Sequence, residues 1–305
     1  MPFIKISDLN IFYRVVVDGH ERDNIDSSMP SMLVLHGGPG IVDHQIEFDA
    51  WSAFSDKKQV VFIDQRGCGK TDDGDPSKWN LLQCGKDIKS FFDETKIKNP
   101  LVAGTSWGGY VAMSYATQFP EDPVALILAN SQARIDLTAK KLAYQLAFNK
   151  LGISFTNPPY NELGNDKEIV IDRVSEIACE YNRSPTNNNT ALFLKFCAPL
   201  FSKGAFELKN PHRINMAIHK NFVISESLTM DFRPKLHLVK CPVLQIAGDR
   251  DPVHPAVTGK ETALCFPNAK FVLIDDAGAS VHKDQPEEFS KIVRGFLDDL
   301  ASIGI

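Results

Sequence analysis

The sequence predicts an α/β protein: a mostly parallel sheet flanked by helices, with a helical segment inserted into it. Three observations carry that expectation. Short apolar runs that read as buried strands alternate with stretches of helical periodicity. Several of those runs end in turns rich in glycine and polar residues, as at the carboxyl ends of parallel strands where ligands bind. From Ser131 to about Leu236 the strand-like runs vanish, and helical patterns divided by polar breakers replace them.

Taken in order, Phe3 to Val17 reads as two short strands. Ile11, Tyr13, Val15 and Val17 alternate with their neighbours at the period of a β-hairpin. Residues 18–30 are polar and turn-rich, hence a loop. Ser31 to Leu35 is continuously apolar, as in a strand buried on both faces, and runs into His36-Gly37-Gly38-Pro39-Gly40. Gln59 to Ile63 is the next strand and ends in Asp64-Gln65-Arg66-Gly67. Asp64 and Arg66 are expected to tie this turn to its surroundings through an ion pair. Over Trp79 to Thr95, Leu81, Cys84, Ile88 and Phe91/Phe92 recur at helical spacing. Pro100 to Ala103 and Val124 to Ala129 are strands, separated by a helix over Tyr110 to Phe119.

Helical patterns then occupy Leu137 to Leu151, Glu168 to Tyr181 and Ala191 to Phe201. Residues 131–236 are read as a cap, or lid, inserted between two core segments, 1–130 and 237–305. Such an insertion suits a cover that governs substrate choice. Strand character returns at Pro242 to Ala247 and at Lys270 to Ile274. Asp275 to Asp284 reads as a polar turn. Pro286-Glu287-Glu288 opens the last helix, with proline and acids in its first turn.

Composition narrows the function. At 305 residues and 43% apolar content the chain can bury a sizeable core. A net charge of −5 gives no support to binding of nucleic acid or of an anionic membrane. There is no apolar run of membrane-spanning length and no secretory pattern at the start, so a cytoplasmic location is expected. The six cysteines, at 68, 84, 179, 197, 241 and 265, are scattered with no C-x-x-C pair, which favours buried thiols over a zinc or disulfide framework.

The chemistry centres on Gly104-Thr105-Ser106-Trp107-Gly108-Gly109. A G-x-S-x-G between a strand and a helix forms a nucleophile elbow, in which a tight turn lifts the serine hydroxyl above the sheet. The N–H of Trp107, which follows the serine, then faces a developing oxyanion. The Gly-rich turn after the early strand supplies a second donor, with the Gly38 N–H first choice and Gly37 next. His36 is given a structural role only. A serine nucleophile needs a base, and an acid to hold that base, in the chain order Ser, Asp, His. Asp249 and Asp251 both follow the late strand.

H-G-G-P-G, D-Q-R-G, G-x-S-W-G-G and a late G-x-x-D-x-x-x-P resemble the α/β-hydrolase superfamily and, within it, the proline iminopeptidase group of serine peptidases. The likeness covers the core on both sides of the cap and is weaker in the cap. It implies an eight-stranded, mostly parallel sheet, Ser106 as nucleophile and Asp251 as acid. It also implies a histidine seven residues before Pro286, where this chain has Ala279. Three explanations stay open. Ala279 is a disabling replacement of the base; His282, three residues on, has taken over as base; or the protein is a non-catalytic binder of a small ligand.

The implied reaction is acyl transfer to water, with no metal and no organic cofactor. The substrate would be a short peptide losing its N-terminal proline or small residue, or else an ester, lactone or amide. Enzymes of that group hold a free amine with acids of the cap, for which Glu176, Glu180 and Glu207 are the candidates here.

Overall fold

A computed structural model describes residues 2–136, a few positions between 138 and 146, 213–226 and 229–305. The helical patterns from Leu151 onward, together with Glu176, Glu180, Glu207, Cys179 and Cys197, lie outside the described residues.

The chain opens with the antiparallel strands β1 (Phe3–Ile6) and β2 (Leu9–Val17). A third strand, β3 (His20–Arg22), pairs with the end of β2 inside the stretch read as loop. All three β3 residues are exposed, so no apolar alternation marked it. Strands β4 (Ser31–Leu35), β5 (Gln59–Ile63), β6 (Leu101–Thr105) and β7 (Ala125–Ala129) follow, buried throughout. β8 (Val243–Gly248) and β9 (Ala269–Ile274) complete the sheet.

The strand order is β1-β2-β5-β4-β6-β7-β8-β9, with β3 beside β2. Every pairing from β5 to β9 along this path is parallel. The eight-stranded, mostly parallel sheet is therefore present, with a short ninth strand at its antiparallel side. Leu35 lies opposite Gly104, Thr105 opposite Ala129, and Ala129 opposite Ile246. That register brings the turns after β4, β6, β7 and β8 out at one edge.

Helices cover both faces. One face packs α2 (Leu81–Thr95) and α3 (Trp107–Gln118), with Phe91, Phe92, Val111, Ala112 and Tyr115 buried against it. Asn80 caps α2 by accepting the Gln83 N–H at 2.8 Å. The other face packs α1 (Gln45–Ser52) and the C-terminal helix, where the Trp51, Phe54 and Phe289 rings meet edge-on.

The chain leaves the sheet at Ala129 and returns at Val243. The described part of that excursion includes α4 (Met216–Lys220), whose residues return to the core. The Asn215 N–H donates to the Gly40 carbonyl at 2.7 Å, and the Phe222 ring sits 4.7 Å from that of Trp107. Beyond β8 come α5 (Ala256–Cys265), the single turn α6 (Val281–Asp284) and α7 (Pro286–Ser302). The end of the Asp275–Asp284 stretch is thus helical rather than turn.

Candidate active site

Ser106 stands between the last residue of β6 and the first of α3, at φ +53° and ψ −116°. A left-handed φ in a residue with a Cβ costs of order 1–3 kcal/mol and persists only where surroundings impose it. They do so here. The Ser106 N–H donates to the Ala129 carbonyl at 2.9 Å, and the Ser106 carbonyl accepts the Gly109 N–H at 3.0 Å. A Cβ on Gly108 would lie 2.0 Å from the Leu35 carbonyl oxygen, so only glycine lets α3 come this close to β4.

The turn after β4 lies against the serine. A Cβ on Gly37 would stand 3.1 Å from the Ser106 Cβ and 3.6 Å from its Oγ. Gly38 takes φ +49°, and its carbonyl accepts the N–H groups of Ile41 and Val42. His36 fastens this turn. Its Nε2 accepts the Gln65 N–H at 3.2 Å, which leaves Nδ1 to donate to the Gly37 carbonyl at 2.7 Å. Ser106, Gly37, Gly38 and Trp107 are thus neighbours across two turns.

Asp251 is buried at the carboxyl end of β8. Its Oδ1 accepts the N–H groups of Val253 and His254 at 2.8 and 2.9 Å. Its Oδ2 accepts Asn130 Nδ2–H at 2.8 Å, with His254 Nδ1 at 3.5 Å. Asn130 follows β7 directly, at φ +45°, and is completely buried. The same Nδ2 donates to the Gly278 carbonyl at 2.9 Å, and Oδ1 accepts the Val281 N–H at 3.0 Å. One amide therefore joins Asp251 to the 278–281 turn, and Ala279, buried, follows directly. Asp249 plays a different part, accepting the Ala277 N–H at 3.2 Å.

Residues 30–286 match the family model described as alpha/beta hydrolase fold. The chain belongs to that family. Along its whole length this α/β hydrolase resembles proline iminopeptidase PfmaB of Pestalotiopsis fici, with 23% identity over 98% of this chain and 99% of that protein. It spans 57% of the length of a Thermoplasma volcanium proline iminopeptidase, at 25% identity. Among solved structures it resembles proline iminopeptidase of Mycobacterium smegmatis (TM-score 0.67, 19% identity, 100% of this chain and 99% of that one). A thermophilic esterase from Thermogutta terrifontis is also similar (TM-score 0.64, 20% identity, 98% and 99% covered).

In this α/β hydrolase His282 contacts groups other than Asp251. Its ring packs edge-on against Phe289 at 5.9 Å, and Nε2 stands 3.7 Å from Glu47 Oε2. Burial lowers the His282 pKa below 6.5, and the opposing pull of the Glu47 carboxylate does not restore it. His282, expected as an alternative base, thus faces Glu47 at a distance too long for a hydrogen bond, on the face of the sheet that carries Trp51 and Phe289.

The expected tie through Asp64 and Arg66 needs correction, because the two side chains pair with other residues. Arg66 donates from Nε and Nη2 to both oxygens of Asp87 at 2.8 Å, and its Nη1 stands 3.3 Å from Asp8. Asp64 accepts the N–H groups of His44 and Lys70 and receives His44 Nδ1 at 2.7 Å. The bidentate geometry of Asp87 outbids a neighbour two residues away. Among the described residues Asp43, His44 and Asp64 bring ligand-type atoms within 4.8 Å of one another. Their hydrogen bonds to Gln45, Lys70 and each other make this a fastening of the Gly38–His44 segment.

Sequence reasoning missed Asn130, Glu47 and His254. Asn130 had a signal: a polar residue directly after an apolar run, at the edge where the other site turns emerge. His254 lies three residues after Asp251 in the bend before α5, and its ring packs on Tyr110 at 5.9 Å. Burial raises the Tyr110 pKa well above its usual value, keeping the phenol neutral.

Proposed function

We propose that this chain is a serine hydrolase of the proline iminopeptidase type whose acyl-transfer site lacks its base. Ser106 is the nucleophile, the Gly38 and Trp107 amides with Gly37 form the oxyanion site, and Asp251 is the acid. The observation that carries this reading is the strained Ser106, held against Gly37 by contacts from β4, β6 and β7. A histidine at 279 would lie beside Asp251, because Asn130 ties the preceding carbonyl to the acid. It would take the Ser106 proton on attack and return it to the leaving amine or alcohol. The core is 1–130 and 237–305, with 131–236 inserted between them as the cap. The substrate is a short peptide with a free N-terminal proline or small residue, and no cofactor takes part.

A second reading, binding of a small ligand without turnover, is favoured by Ala279 itself. An alanine accepts no proton, so Ser106 is left without a base at that position. One experiment separates the two. The Ala279→His protein is expected to turn over aryl esters or proline arylamides at least about 10⁴-fold faster than the unchanged chain. Ser106→Ala in that background abolishes this. Absence of turnover, with tight binding of a substrate analogue, leaves the binding reading.

A further inference from the structure

Glu47 is a buried acid that the proposed chemistry does not use. It sits in α1, the helix that follows the His36–Gly40 turn. Its Oε2 accepts Trp51 Nε1–H at 2.9 Å and Thr105 Oγ1–H at 3.0 Å, and His282 Nε2 is 3.7 Å away. The side chains of Glu47 and His282 are 2% and 1% exposed. One carboxylate oxygen therefore meets three segments. The first is the helix behind the oxyanion turn. The second is Thr105, bonded directly to Ser106. The third is His282 of α6, three residues beyond Ala279, which it approaches without a hydrogen bond.

Burying a carboxylate without a paired lysine or arginine is costly, and an apolar side chain would fill the space at less expense. The arrangement makes sense if the acid holds those segments in register. We propose that Glu47 is a positioning residue for the nucleophile, acting through the Thr105 hydroxyl. This rests on the serine hydrolase reading above. The Thr105 bond locks the rotamer of the residue that leads into the strained Ser106, whose φ relaxes unless its surroundings over-determine it. Glu47 touches no substrate atom; it acts on the aim of the hydroxyl.

The test uses the Ala279→His protein. Glu47→Leu and Thr105→Val are made singly and together, and kcat and KM for an aryl ester are measured beside urea denaturation. Misaligned attack costs up to about 10²-fold, so kcat is expected to fall roughly ten- to hundredfold in each single variant, with KM nearly unchanged. The double variant should be no slower than Glu47→Leu alone, since that variant already removes the Thr105 bond. Glu47→Gln keeps an oxygen acceptor and should recover most of the loss. Unchanged kcat in both single variants, or additive losses, overturns the proposal. If Glu47→Leu fails to fold, Thr105→Val decides alone, because it removes one hydroxyl at nearly constant shape. Absence of both turnover and Ser106 phosphonylation by a fluorophosphonate in the Ala279→His protein would instead reject the hydrolase reading itself.

Discussion

Asn130 shows how much one side chain can organise. Its amide uses both N–H and C=O to join the acid loop to the turn of residue 279, and its φ of +45° is one that asparagine tolerates better than most residues. Asn130→Ala leaves the Val281 N–H, the Gly278 carbonyl and one Asp251 oxygen without this partner. An unsatisfied buried group costs about 1–3 kcal/mol, so the midpoint of urea denaturation should fall by an amount equivalent to roughly 3 kcal/mol. Asn130→Asp keeps the shape but sets a second carboxylate against Asp251, and should destabilise more. Equal stability of Asn130→Ala and the parent would mean that water replaces the amide.

Elements differ in how openly their sequences announce them. β4, β6, β7 and β8 were readable as apolar runs because parallel strands are buried on both faces. Helix α1 was not, since its buried side chains are Glu47 and Trp51, and a buried glutamate breaks the apolar stripe. Helix α5 was missed for a related reason. Its inner face includes Thr258 and Thr262, whose hydroxyls donate to the carbonyls of Pro255 and Thr258. The α6 turn carries a pH prediction. His282 has a folded pKa below its ordinary 6.5, chiefly through burial. Folding therefore favours the neutral ring. That contribution is complete above pH 6.5 and is lost as pH falls from 6.5 toward the folded value. Urea midpoints should decline over that window, and His282→Leu should flatten the decline. A slope unchanged by the substitution would place the acid sensitivity elsewhere.

Across the whole molecule, Arg66 joins parts that are far apart in the chain. It lies completely buried, forked onto Asp87 of α2 and facing Asp8 in the β1–β2 turn. Burial alone would raise the Asp8 carboxyl. Hydrogen bonds from the Asp75 N–H, Arg66 and Lys78 outweigh it and hold Asp8 well below the usual carboxylate range. Arg66→Met should cost about 3–5 kcal/mol in denaturant titrations, because Asp87 stays buried without its cation. A further Asp87→Leu should regain part of that loss, whereas no recovery would point to packing of the arginine stem instead.

By itself the sequence determined what depends on neighbours along the chain. Strand burial, the glycine turns and the place of Ser106 between a strand and a helix are each written within a few consecutive residues. Tertiary structure alone decided which distant groups meet. Arg66 chose Asp87 over Asp64, His282 met Glu47, and Asn130 took an oxygen of Asp251, because those pairings depend on the register of strands far apart in the chain. Hydrogen bonds act over about 3 Å, and no spacing in a linear chain encodes that distance across a folded sheet.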